Sequence, residues 1–91
     1  MKLISSKTFV RDARRFLKRN AKFEESVKLT LKLMKEDVFN PKLKTHRLKG
    51  KLKNSYSSSV GYDLRIVFEF IEHDGEEAIL LQTIGTHDEV Y

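Results

Sequence analysis

The sequence predicts an α+β fold: an N-terminal antiparallel helical hairpin packed on one face of a small, mainly antiparallel sheet of three to four strands. Three observations carry this. Apolar residues recur at helical spacing before Pro41, the period changes to two after it, and the two kinds of segment follow one another rather than alternate. A chain of 91 residues implies one domain over residues 1–91, with room for one core.

Lys2-Leu3-Ile4 reads as a short first strand, after which Ser5 or Ser6 caps a helix. Phe9, Val10, Ala13, Phe16 and Leu17 form its apolar stripe, opposite Arg11, Arg14, Arg15 and Lys18. Asn20 reads as the cap of a second helix, with Glu24 and Glu25 in the first turn where the helix dipole favours anions. Phe23, Val27, Leu31, Met34 and Val38 make its buried stripe, and Glu24–Lys28 is an i, i+4 ion pair in the favourable order. Asn40-Pro41 ends it, because a residue before proline avoids the helical region. In "THRLKGKLKN", Leu48 and Leu52 fall on one side of a basic segment bent at Gly50. "SYSSSVGYDL" is acceptable as an exposed strand. Asp63 to Glu72 is the clearest strand, with Leu64, Ile66, Phe68 and Phe70 alternating with Arg65, Val67, Glu69 and Ile71. His73-Asp74-Gly75-Glu76 is a hairpin turn, from which Ala78 to Gly85 returns antiparallel.

Composition narrows the function. No apolar run nears the roughly 18 residues of a membrane span, and "MKLISSKTF" is too short in its apolar part for a secretory signal. A cytoplasmic protein with no membrane partner is expected. With no cysteine, disulfides, thiolate metal sites and thiol catalysis are excluded. The net charge is +5 and the pI about 9.6, which suits a phosphate backbone, an anionic membrane face or an acidic protein. From Val38 to Tyr62 there is no carboxylate, and Arg47, Lys49, Lys51 and Lys53 crowd this window as candidate RNA-binding residues.

The far face of the sheet, away from the helices, is expected to be open and to carry the chemistry. Asp63 and Arg65 are two apart on a strand and point the same way. The hairpin turn sets residues near 64 opposite residues near 85, so His87 comes within reach of both. Tyr91 lies just beyond, and His46 opens the basic segment. RNA cleavage requires a base for the 2′-hydroxyl proton, an acid for the leaving 5′-oxygen and fixed positive charge for the developing phosphorane. Histidine suits the proton transfers and arginine the phosphate. His73, in the distant turn, is an ordinary turn residue.

"HRLKGKLKN", "GYDLRIVFEF" and "IGTHDEVY", in that order and spacing, resemble the RelE/ParE toxin superfamily, specifically its RelE/YafQ-type mRNA interferases. The resemblance spans the chain. It implies a bacterial toxin that enters the ribosomal A site and cuts the messenger by 2′-hydroxyl attack on the adjacent phosphodiester, without metal or other cofactor. In the YafQ-like branch, His46 matches a histidine before the Leu-x-Gly step and Asp63 an aspartate opening the main strand. His87 matches the histidine of Gly-Thr-His, and Tyr91 a closing aromatic. Arg65 matches the strand arginine of the RelE branch, which contacts the scissile phosphate. His46 or Asp63 is then the general base and His87 the general acid, or the reverse, with Arg65 stabilising charge and Tyr91 ordering the nucleotide. Ser59 replaces a further histidine of the YafQ branch and Leu64 an aromatic, while Ser57, Ser58 and Ser59 stand where the RelE branch carries lysines. The implied partners are a cognate acidic antitoxin, the ribosome with its message, and operator DNA only through the antitoxin. The alternative is a ParE-like toxin that inhibits DNA gyrase by binding.

Overall fold

A computed structural model of the chain describes residues 1–52 and 54–91, with Lys51 by its backbone alone. Five strands form one sheet in the order β1-β5-β4-β3-β2: β1 Lys2–Ser5, β2 His46–Arg47, β3 Tyr56–Val60, β4 Leu64–His73 and β5 Glu76–Thr86. Only β1, beside β5, is parallel to its neighbour. The expected three or four strands become five because both short edge segments pair. Helices α1 (Lys7–Arg19) and α2 (Glu24–Asp37) cover one face, α1 against β5 and α2 against β3.

Ser6 starts α1. Its hydroxyl accepts the Phe9 N–H at 3.0 Å and donates to the Gln82 carbonyl at 3.1 Å, so one side chain caps the helix and ties it to β5. Asn20 does not cap α2. Its backbone N–H and its side-chain amide both donate to the Phe16 carbonyl at 2.9 Å, closing α1 instead. A 3₁₀ turn, Ala21–Phe23, then leads into α2. Lys28 lies 3.3 Å from Glu24 as its spacing implies. The two apolar stripes meet Leu64, Ile66 and Phe68 in one core with Phe9, Val27, Met34 and Val38. Val10 departs from its expected place, because it lies on the flank of α1 and is exposed.

β4 and β5 pair from Leu64↔Thr86 to His73↔Glu76, with a bulge at Val67/Phe68. The turn between them has Asp74 and Gly75 at positive φ, 53° and 80°, as a two-residue hairpin turn requires. β3 corrects the reading of "SYSSSV" as an exposed strand, since Ser57, Ser58 and Val60 are buried. Small hydroxyls fit there because each has a partner. Ser58 exchanges a 2.7 Å hydrogen bond with Thr45, and the preceding Ser55 donates to the Gln82 side chain at 2.8 Å. Leu48 is buried as expected, but Leu52 is exposed, because the 3₁₀ turn Gly50–Leu52 swings it off the Leu48 side.

Asp12 joins α1 to β5 at the rim of the sheet. Its carboxylate accepts the Thr83 hydroxyl at 2.7 Å and lies 3.3 Å from Arg11. The Thr83 hydrogen bond, helped by the Arg11 and Arg15 charges, outweighs burial and holds the carboxyl below its usual 3.8. A lowered folded-state value stabilises the fold above 3.8 and loses that contribution as pH falls through it. Thr83→Val is therefore expected to be less stable than wild type at neutral pH, with the gap narrowing on acidification toward pH 3. Urea unfolding at a series of pH values measures this. A gap that stays constant with pH would assign Thr83 to packing alone.

Candidate active site

The register of the sheet decides which side chains share its second face. His46 lies opposite Ser57, Ser57 opposite Val67, and Val67 opposite Thr83. One step along, Ser59 lies opposite Arg65, and Arg65 opposite Gly85. Directly opposed residues point to the same side, so His46 and Arg65 both stand on the face away from the helices. Two strand spacings and a two-residue offset put their Cα atoms about 12 Å apart, a gap the two side chains and a phosphodiester can span.

That face is not open, as the sequence reading supposed. The chain turns back over it after β5 as a single helical turn, α3 (His87–Val90). Thr86 and Glu89 form a capping box: the Thr86 N–H reaches Glu89 Oε1 at 2.8 Å, and the Glu89 N–H reaches Thr86 Oγ1 at 3.4 Å. Gly85 makes the approach possible. A Cβ there would lie 3.2 Å from Glu89 Cβ and from Val90 Cγ1. The His87 N–H donates to the Asp63 carbonyl at 2.9 Å and pins the start of α3 to the β3–β4 turn. Tyr91 then lies across the sheet, and its hydroxyl donates to Ser57 Oγ. Its ring meets the His87 ring edge-to-face with centroids 4.5 Å apart. Val67 and Ser57 are buried in consequence.

His46 is exposed on β2, with Nδ1 3.1 Å from the Lys44 carbonyl. A carbonyl can only accept, so Nδ1 carries a hydrogen and Nε2 is the ring nitrogen turned away from this bond. Arg65 lies on β4, its Nη1 donating to the carbonyls of Tyr62 at 3.0 Å and Leu64 at 3.1 Å, which fixes the guanidinium against the turn. His87 opens α3, with Nδ1 3.5 Å from the Asp88 carboxylate. Tyr91 keeps 44% of its surface exposed although its hydroxyl is engaged. Asp63 does not open the strand. It lies in the turn before Leu64, exposed, and its backbone carbonyl rather than its carboxylate makes the contact with His87. Of the cationic segment, Arg47 lies on β2 and Lys49 is exposed, while Lys53 and the side chain of Lys51 lie outside the described residues.

The structure thus brings His46, Arg65, His87 and Tyr91 onto one face, with Tyr91 bridging from the His87 ring to the residue opposite His46. Asp63 contributes backbone to the same cluster. The cluster faces solvent. A groove of about 620 Å³ lies on the α1 side of α3, bordered by Arg15, Arg19, Thr86 and Glu89, and none of these five candidate residues lines it. Sequence reasoning missed Ser57, the seat of the Tyr91 hydroxyl, because a serine in an apolar-poor strand carries no signal of a partner 34 residues away. It also missed α3, although Thr86-x-x-Glu89 has the spacing of a capping box.

Two helices on one face of a mostly antiparallel sheet, with a histidine-, arginine- and tyrosine-bearing opposite face closed by the C-terminus, make an α+β architecture of the RelE/ParE fold class. The fold is shared with YafQ from Escherichia coli BL21(DE3) at a TM-score of 0.80, with 15% identity over 99% of this chain and 97% of that one. It is also shared with the YoeB/ParE toxin from Agrobacterium tumefaciens, at 0.76, with 20% identity over 96% and 99%. A structure of the E. coli DinJ–YafQ toxin–antitoxin complex also matches, at 0.77, with 16% identity over 99% and 96%. No curated protein sequence matches the chain significantly. The family model described as the YafQ bacterial toxin of type II toxin–antitoxin systems matches residues 1–91. The chain belongs to that family.

Proposed function

We propose that this toxin is a ribosome-dependent mRNA endonuclease that cuts by 2′-hydroxyl attack on the adjacent phosphodiester. The observation that carries the reading is Tyr91, whose hydroxyl on Ser57 and ring against His87 hold the C-terminal imidazole on the face that bears His46 and Arg65. His46 is the base: the Lys44 carbonyl engages Nδ1 and orients the ring so that Nε2 is the nitrogen presented for proton transfer. It removes the 2′-hydroxyl proton as that oxygen attacks phosphorus. Arg65 donates to the phosphoryl oxygens as charge builds, its fork held by the carbonyls of residues 62 and 64. His87 is the acid, held in place by the Tyr91 ring and by its backbone N–H bond to the Asp63 carbonyl. Its proton goes to the departing 5′-oxygen, leaving a 2′,3′-cyclic phosphate and a 5′-hydroxyl. Tyr91 positions His87 and offers its exposed ring edge to the nucleotide. Asp63 acts through the backbone bond that sets α3 and is a positioning residue on this reading.

Lys49, exposed just after β2, leads the RNA backbone to this face, with Lys51 and Lys53 as further RNA-binding candidates, whereas Arg47, opposite Tyr56 and through it Phe68, lies on the helix side of the sheet. The partner in the resting state is an acidic antitoxin that covers the same cationic surface, in keeping with the DinJ–YafQ complex on this fold. Operator DNA is reached only through it. Acting on translating ribosomes, the toxin works in the cytoplasm. Primer extension on cellular messages after induction tests the proposal. Cuts within translated codons are expected. Intact messages accompanied by DNA-damage signalling would overturn it in favour of gyrase inhibition.

A further inference from the structure

The chain carries nine aromatic residues, six Phe and three Tyr. Phe9 is buried in the core. Phe16 meets Phe23, the rings of Phe39, Tyr56, Phe68 and Phe70 form one cluster, and Tyr91 meets His87. Tyr62 differs from all of them. It is 97% exposed, and among the described residues its ring meets no other. The fold gains nothing from that ring, since the stabilisation an aromatic brings comes from burial or ring contact.

The backbone beneath the ring is nevertheless firmly held. Tyr62 lies in the turn between β3 and β4, which Gly61 enters at a φ of 67°. Arg65 Nη1 donates to the Tyr62 carbonyl at 3.0 Å, and the His87 N–H donates to the Asp63 carbonyl at 2.9 Å. The two residues assigned to the phosphate and to the leaving group thus clamp this turn from either side. A bare ring on a preorganised backbone, one hydrogen bond from a phosphate-binding guanidinium, has the form of a nucleobase platform. Every base presents a π face, so stacking tolerates any sequence, and a pre-set backbone keeps the ordering cost of binding low.

We propose that the turn Gly61–Asp63 is a nucleobase subsite and that Tyr62 stacks on a base flanking the scissile phosphate. The inference rests on the nuclease reading. It assigns Tyr62 the positioning of the message, with no part in proton transfer. The ring alone is needed, so the phenolic hydroxyl is dispensable.

The test compares wild type, Tyr62→Ala and Tyr62→Phe in single-turnover cleavage on ribosomes programmed with a defined message. A parallel set of messages carries one abasic nucleotide, placed in turn on the 5′ and the 3′ side of the cut. Tyr62→Ala is expected to cleave roughly 5- to 150-fold less efficiently, the range a lost base–aromatic stack spans, and Tyr62→Phe to stay within about twofold of wild type. Removing the base at one of the two positions costs wild type a similar factor and costs Tyr62→Ala nothing more. The melting midpoint of Tyr62→Ala stays at the wild-type value, because its ring supports no packing. Wild-type efficiency in Tyr62→Ala, an equal loss in Tyr62→Phe, or losses from ring and base that multiply at both positions would each overturn the subsite and leave the nuclease standing. Unchanged cleavage with weakened antitoxin binding would do the same, and would make the ring a protein contact. A wild-type protein that cuts no message on the ribosome overturns the nuclease reading and this inference with it.

Discussion

His87→Ala is expected to lower the single-turnover rate of message cleavage on the ribosome by about 10²- to 10⁴-fold, the range that a positioned acid or base supplies. The size of the loss reflects a leaving 5′-oxygen that must otherwise depart as an alkoxide. The pH profile separates this role from a structural one. A general acid works only while protonated, so the alkaline limb of the wild-type profile belongs to it and flattens in the variant. The acid limb, assigned to His46, remains. His87 also lends its ring to Tyr91, so some disorder of the C-terminus is expected in the alanine variant. Tyr91→Ala removes that contact while keeping the imidazole, and should retain both limbs at a reduced rate. An alkaline limb that persists in His87→Ala would take the acid role away from this residue.

Arg65→Ala is expected to reduce cleavage by about 10²- to 10³-fold, as removal of one preorganised donor to a developing oxyanion does elsewhere. The loss should fall on the maximal rate more than on the half-saturating ribosome concentration, because charge on the phosphoryl oxygens grows toward the transition state. Arg65 also holds the β3–β4 turn through the carbonyls of Tyr62 and Leu64. Arg65→Lys distinguishes the two functions: it keeps a cation near the phosphate but replaces a rigid fork with a single flexible ammonium. Partial recovery in Arg65→Lys assigns part of the effect to charge. A wild-type maximal rate in Arg65→Ala would remove the residue from the reaction.

The legible parts of this molecule are those written in local pattern. Two apolar stripes at helical spacing announced α1 and α2, and the alternation from Leu64 to Phe70 announced β4. Asp74-Gly75 set the hairpin whose register carries Arg65 opposite Gly85. Because that hairpin fixes which residues oppose one another, the expectation that His87 ends near Arg65 could be drawn from counting alone. β1 was visible as a short apolar segment, but its pairing with β5 was not, because a parallel neighbour 76 residues away leaves no trace in spacing. Asn20 shows the opposite failure. Its residue type fits a helix start as well as a helix end, and only the Phe16 carbonyl within reach of its amide selects the end.

By itself the sequence determined the class of fold, the order of its elements and the net basic charge, and it named the candidate groups for proton transfer and phosphate binding. Those follow from side-chain chemistry and from periods of two and 3.6, which act between near neighbours. The tertiary structure alone decided that the second face of the sheet is roofed by the C-terminus, that Ser57 seats Tyr91, that the Asp63 carbonyl receives the His87 N–H, and that Tyr62 stands bare. These depend on contacts between residues far apart in the chain, where a single hydrogen bond or the absence of a Cβ at Gly85 sets the outcome, and such contacts have no periodic signature from which to be read.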